Sequence, residues 1–173
     1  MDEGLRTKIL GLIVIVFIVR LITSHLYDPT IHRGLWYKVK VPQGWKKEVK
    51  EDEVFFYSPD KDYLGNSEAI FSIYGFKSRG ALFMDLFFPD VLENLAQQKG
   101  EILSQGEIKI DEQISKWVLF RSDDPDWIIW TFFIIDEYNR LTKIQFLSRP
   151  DHFKKYRPIF EAFKDTINFR EFF

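Results

Sequence analysis

Apolar residues in the second half of the chain fall into short runs separated by turn signals. Each run has the length of a β-strand. The run at 127–135 is apolar on both faces, which predicts a strand inside the sheet. Residues 136–140 connect the last two runs as a hairpin. The four predicted strands cover residues 101–111, 114–122, 127–135 and 141–148.

The same patterning predicts three strands earlier in the chain, at 35–41, 54–57 and 69–76. In the first of these, Tyr37, Val39 and Val41 share one face, which indicates a half-buried strand. Residues 42–45 form the turn that follows it.

The loop at 60–68 carries acidic residues at several positions of a calcium-binding loop. It has Leu64 and Phe71 where ligands are required, which favours an ordinary turn.

Two helices are predicted from apolar residues at helical spacing. The first spans about 81–99 and ends at Gly100. The second spans about 151–166, with Ser148 and Asp151 as an approximate capping box and Pro158 dividing it into two pieces. Its expected buried stripe consists of Tyr156, Ile159, Phe160, Phe163 and Ile167.

The order of elements predicts an α+β fold with a central antiparallel sheet flanked by helices, an α/β/α sandwich. We expect Trp45, Trp130, Phe146 and Phe163 to be largely buried in its core.

A separate apolar segment near the N-terminus predicts a transmembrane helix at 9–27. Twelve Leu, Ile, Val or Phe residues lie between Ile9 and Ile22. They favour insertion into the bilayer by roughly 5 kcal/mol, whereas inserting Arg20 costs about 3 kcal/mol at most. A cleaved signal peptide is the alternative, but no small-residue cleavage site follows. The predicted organisation is a leader at 1–8, the transmembrane helix, a stalk at 28–34 and a soluble domain at 35–173.

Composition narrows the function classes. Net charge is −2, and no basic stripe is evident, so nucleic acid is not an expected partner. The chain has no cysteine, which excludes disulfides, thiolate metal sites and a lipid-modified cysteine.

Four segments in order resemble the PsbP-like family: residues 37–45 (YKVKVPQGW), 54–59 (VFFYSP), 140–146 and 163–169. The resemblance covers about residues 35–169. It implies a domain without enzymatic activity. The best-known members are extrinsic or assembly subunits of photosystem II on the lumenal side of the thylakoid. A nuclear relative of the same fold binds a small GTPase, and bacterial members are extracytoplasmic lipoproteins or membrane-anchored proteins.

The candidate chemistry agrees with a non-catalytic role. The chain has three histidines, His25, His32 and His152, but no nucleophile motif such as G-x-S-x-G with which one of them could form a catalytic triad. A hydrolase is therefore the least favoured alternative. No catalytic, cofactor or metal site is predicted. The aromatic run at 82–88 and the acidic turn at 123–126 are instead candidate contact surfaces. Their residues are Phe83, Phe87, Phe88, Asp123, Asp124 and Asp126.

The sequence therefore predicts a non-enzymatic, single-pass accessory or assembly subunit of an integral membrane protein complex, acting by protein–protein contacts. We expect a cytoplasmic or thylakoid-type membrane, with the domain on the extracytoplasmic side. The alternative function is an extracytoplasmic binding protein for a small apolar ligand, with aromatic strand residues lining its pocket.

Overall fold

The computed structural model describes residues 31–34, 36–62, 64–78, 81–98, 100–123 and 126–169. The chain divides into two compact units, 1–31 and 32–173. The predicted leader and the predicted transmembrane helix at 9–27 lie outside the described residues. Within the described ranges, no helix combines the length and the apolar character that crossing a bilayer requires.

A seven-stranded antiparallel sheet forms the centre of the domain, in the order β3-β4-β5-β9-β8-β7-β6. A separate two-stranded sheet pairs β1 with β2. The strands are β1 (Ile31–Arg33), β2 (Lys38–Lys40), β3 (Lys46–Lys50), β4 (Glu53–Tyr57), β5 (Ala69–Lys77), β6 (Gly100–Ile110), β7 (Gln113–Asp123), β8 (Asp126–Ile135) and β9 (Arg140–Ser148). The helices are α1 (Met84–Ala96) and α2 (Pro150–Lys164).

The predicted mostly-sheet α+β architecture is confirmed. All four consecutive runs predicted in the second half of the chain are strands. β8 lies between β7 and β9, so it is inside the sheet, as predicted from the apolar residues on both of its faces.

The two helices pack on opposite faces of the sheet, which we call the α1 face and the α2 face. On the α2 face, the Phe160 ring lies 5.0 Å from Phe146 and 5.4 Å from Phe71, and all three side chains are fully buried. On the α1 face, Phe88 of α1 packs with Val118 and Phe133 in a smaller cluster. The main core therefore lies under α2.

Two predictions about the first strands were incomplete. Residues 46–50 form β3, which the pattern did not predict because the strand has one apolar residue, Val49, and that side chain is 59% exposed. The predicted strand at 35–41 is limited to Lys38–Lys40, and residues 31–33, assigned to the stalk, form its partner β1.

Three predictions about α2 were wrong. Ile159, which was expected in its buried stripe, is 38% exposed. The helix is continuous through Pro158. Its N-cap is Arg149, which makes no side-chain capping bond, so Ser148 and Asp151 do not form a capping box; the Ser148 hydroxyl donates to the Arg149 carbonyl. Pro150 at the first helical position favours the start of the helix instead. Its fixed φ is helical, and the N–H that it lacks would have no hydrogen-bond partner within the helix at that position.

The predicted core is only partly confirmed. Phe146 and Phe163 are buried, at 0% and 2% exposure. Trp45 and Trp130 are half-buried at the border of the core, where Trp45 stacks on Phe71 with ring centres 4.2 Å apart.

Candidate interaction surfaces and an apolar cavity

The first turn of α1 presents two large apolar side chains to solvent. Phe83, at the N-cap, is 61% exposed and Leu86 is 70% exposed. The Phe83 carbonyl accepts the Leu86 and Phe87 amides, so the backbone carrying the pair is already helical. We call Phe83 and Leu86 the apolar pair.

The other two aromatic residues predicted for this surface point into the domain. Phe88 is buried at 7% exposure, and Phe87 is half-buried with its ring 5.5 Å from Phe133. Beside them, Lys116 Nζ donates to Asp85 at 2.6 Å and ties α1 to β7. Phe87 and Phe88 therefore fix the helix, and the apolar pair is what remains available for a partner. Leu86 was within the predicted run but not among the predicted contact residues.

The acidic turn is partly satisfied within the domain. Arg121 donates from Nε and from one terminal nitrogen to the two Asp126 oxygens, at 3.0 and 3.1 Å. This bidentate contact holds the pKa of the Asp126 carboxyl below its usual range. Asp123 pairs with Asp126 across the strand end, and Asp124 lies outside the described residues. Of the two described residues, Asp126 is engaged by Arg121, so Asp123 is the better placed to contact a partner.

An aromatic surface on the α1 face was not predicted as a site. α1 packs on β6 and β7, so in the described part of the chain no helix covers β4 and β5 on this side. Phe55 and Tyr57 stack with ring centres 6.1 Å apart, Lys143 Nζ lies 5.4 Å from the Tyr74 ring, and Phe76 is 45% exposed. The sequence predicts strands at 54–57 and 69–76, but a strand pattern does not indicate whether a helix covers the face.

A cavity of about 320 Å³ opens between the β1–β2 loop and the β3–β4 hairpin. Its floor is apolar and aromatic, with Trp36, Tyr37 and Val54 all buried. Trp36 Nε1 donates to Thr142 Oγ1 at 2.9 Å, and its ring lies over Gly75, where a Cβ would come within 2.9 Å of the indole. A side chain on residue 75 would therefore displace the cavity floor.

Polar groups border this cavity. Burial, with a smaller effect from Glu53, raises the pKa of the Tyr37 hydroxyl well above its usual range, so the phenol stays protonated. His32 lies with its ring 5.9 Å from both Tyr37 and Phe56. The cavity thus combines an aromatic floor with a hydroxyl and an imidazole, an arrangement that suits a small apolar ligand with one polar group.

His32 should make the stability of the domain pH-dependent. Burial, together with the nearby charge of Lys47, lowers its pKa to about 4. An unfolded histidine titrates near 6.5, so the unfolded chain binds the proton more readily, and stability falls as the pH drops from about 6.5 to 4. In urea unfolding, the loss of stability between pH 7 and 4.5 should be about 2 kcal/mol smaller for His32→Gln than for the wild type. Equal losses in the two proteins would show that His32 does not carry this dependence.

The loop at 60–68 is held to α2 by charged side chains. Lys155 Nζ donates to Glu68 Oε2 at 2.7 Å and lies 2.9 Å from Asp60 Oδ2, which lowers the pKa of both carboxyls. The buried Tyr156 hydroxyl lies 2.8 Å from Asp60 Oδ2, and burial followed by this contact raises its pKa to about 12. Asp62 Oδ1 accepts the Leu64 and Asn66 amides. The carboxylates that the calcium interpretation would need are therefore engaged by donors of the protein itself.

Comparison with known proteins finds similar folds among solved structures. No family model matches the sequence, and no curated protein matches it. Solved structures do match. A Pseudomonas aeruginosa protein of unknown function has a TM-score of 0.60 at 16% identity, over 83% of this chain and 98% of its own. Cyanobacterial PsbP from Synechocystis has a TM-score of 0.54 at 12% identity, over 78% of this chain and 87% of its own. The Ran-binding protein Mog1p of Saccharomyces cerevisiae has a TM-score of 0.51 at 11% identity, over 79% of this chain and 93% of its own.

The chain has the PsbP-like fold. Because these identities are low, the likeness establishes the fold alone, and the resemblance noted from the sequence segments is confirmed at that level. The fold also agrees with the order of strands on which the sequence resemblance was based.

Proposed function

We propose that this chain is a non-enzymatic, membrane-anchored accessory or assembly subunit of a membrane protein complex, and that it acts through protein–protein contacts. The observation that carries the proposal is the apolar pair on the first turn of α1. Two large apolar groups that are 61% and 70% exposed on a well-packed helix are costly to leave in water, and a partner surface removes that cost.

The rigidity of α1 adds to this argument. Phe88 is buried beneath the helix and Asp85 is bound by Lys116, so the apolar pair is held in one orientation before a partner arrives. Little conformational entropy is then lost on association. The use of this fold for protein contacts also has a parallel, since one structure that shares it is a Ran-binding protein.

Anchoring makes modest contacts sufficient. With residues 9–27 in a bilayer, the domain stays close to the membrane surface, where the effective concentration of a membrane partner is high. We place the domain on the extracytoplasmic side, following the resemblance to extracytoplasmic members of the PsbP-like family.

Replacing the apolar pair should release the partner. In Phe83→Ser/Leu86→Ser, affinity for the companion protein should fall by about 10- to 100-fold, as expected for the loss of one or two central apolar anchors. The measurement is affinity capture of the tagged full chain from membranes solubilised in mild detergent, with quantification of co-eluting proteins. The thermal midpoint of the variant should not fall, because both side chains are mostly exposed and serine is a preferred N-cap residue in place of Phe83.

A matched control is Leu64→Ser/Ile114→Ser, which removes two side chains that are 63% and 55% exposed elsewhere on the domain. It should retain the companion. A wild-type chain that elutes alone in several mild detergents would refute the accessory role. That outcome would favour the alternative, a binding protein for a small apolar ligand, for which the 320 Å³ cavity is the candidate site.

A further inference from the structure

The strands at which the domain begins carry a strong local excess of positive charge. Residues 31–50 contain six lysine and arginine residues and one acidic residue, whereas the remaining chain has 18 basic and 25 acidic residues. The six are Arg33 on β1, Lys38 and Lys40 on β2, and Lys46, Lys47 and Lys50 on β3.

Three of these lysines are exposed and have no ion pair within the described part of the chain. They are Lys40, Lys46 and Lys47, which we call the basic collar. Lys50, by contrast, is paired with Glu48 at 3.2 Å. An exposed cation that forms no ion pair within the domain remains available to an external anion.

The contacts of β1 and β3 place Lys46 and Lys47 near His32, and Lys40 lies on β2, the partner strand of β1. The ring of His32 lies 5.9 Å from that of Phe56, and Phe56 is the cross-strand partner of Lys47. Arg33 and Gly34 lie beside Val49 and Glu51, further along β3. β1 therefore runs away from the Lys46 end of β3, and His32 is the residue nearest that end.

Acidic residues lie at the other end of β3. Glu51, Asp52 and Glu53 follow the strand, so Glu51 is about 16 Å from Lys46 at the usual rise per residue. That distance exceeds the Debye length at physiological salt, about 8 Å, so Glu51, Asp52 and Glu53 do not neutralise the Lys46 end.

We infer that the basic collar binds the anionic headgroups of the bilayer in which the chain is anchored. This rests on the proposed membrane anchoring. Only residues 28–30 separate the predicted span from β1, and three residues reach at most about 11 Å. That reach is comparable to the distance over which a negatively charged membrane surface attracts cations. Binding of these lysines orients the domain, with the Lys46 end of β3 toward the lipid and the cavity mouth at Glu51 away from it.

The test uses the full chain in nanodiscs of phosphatidylcholine alone or of phosphatidylcholine with phosphatidylglycerol. The rate at which an amine-reactive reagent acylates each lysine is measured by mass spectrometry. A lysine bound to a lipid headgroup reacts more slowly. In the anionic discs at low salt, acylation of Lys40, Lys46 and Lys47 should slow by at least about threefold. The protection should disappear at high salt. Lys109 and Lys154, which are exposed on β6 and α2, should react equally in both discs.

A double variant tests whether the three lysines of the basic collar bind the lipid together. In Lys46→Gln/Lys47→Gln, the protection of Lys40 by anionic lipid should be lost, since each basic residue near the surface contributes about fivefold to the attraction. The control Lys109→Gln/Lys154→Gln should keep it. Equal acylation of the basic collar in neutral and anionic discs, or equal protection of Lys109 and Lys154, would overturn the inference while leaving the anchor intact. Failure of the full chain to enter either disc would refute the anchor itself, and the inference with it.

Discussion

Phe163→Ala should lower the free energy of unfolding by about 3–5 kcal/mol, because the substitution loses the transfer free energy of a buried ring and leaves a cavity. Phe163 is 2% exposed, and its ring lies 4.8 Å from Phe71 and 5.4 Å from Phe56. These two neighbours are on adjacent strands and are themselves fully buried, so the space cannot be filled by a small local movement. The measurement is urea unfolding of the domain at neutral pH.

Ile159→Ala on the same helix is the matched control. Its side chain is 38% exposed, so the loss should stay below about 1 kcal/mol. A similar small loss at Phe163 would mean that α2 does not pack on the sheet as described. A similar large loss at Ile159 would point to a general effect of alanine in this helix.

Deleting residues 1–27 should convert the protein from a membrane-bound to a freely soluble form. The full chain should resist extraction by alkaline carbonate, because the apolar segment favours insertion by a net of roughly 2 kcal/mol even with Arg20 at its central cost. The chain 28–173 should remain in the supernatant and unfold with the same midpoint as the domain in the full chain. Deletion of 1–8 alone, which spares the apolar segment, should leave the protein in the membrane.

The same preparation tests the proposed side of the membrane. With intact cells made permeable only at the outer boundary, added protease should degrade the domain of the full chain. Complete protection until the cytoplasmic membrane is opened would place the domain in the cytoplasm. A truncated chain that still pellets and resists carbonate would show that residues 1–27 are not what holds the protein to the membrane.

The sequence was most informative where a strand is buried. The runs at 127–135 and 141–148 became β8 and β9 with nearly the predicted bounds, because their side chains pack on both neighbours and both faces. β3 was missed for the opposite reason. It is an edge strand whose lysines face water, so its conformation is set by pairing with β4 and leaves no hydrophobic pattern.

The candidate surfaces were harder to predict than the fold. The run at 82–88 has more large apolar groups than one helix face can bury, but the pattern could not say which of them the sheet covers. Phe88 packs on Phe133, whereas Phe83 and Leu86 are 61% and 70% exposed. The cavity was not predicted, since Trp36, Gly75 and Thr142 are brought together only by the tertiary fold.

The pairing of β5 with β9 also determines the order in which the domain can form during synthesis. Strands β3–β5 and β6–β9 are each joined to neighbours in sequence, whereas Ala69 pairs with Ser148 and Lys77 with Arg140, at separations of 79 and 63 residues. Closing such long loops is slow, because the entropy is lost before the contacts form. Strands β3–β5 must therefore wait for β9 and α2 before Phe56 and Phe71 are covered, whether the chain emerges from a ribosome or from a translocation channel. Until then the first half of the domain exposes apolar surface that favours aggregation.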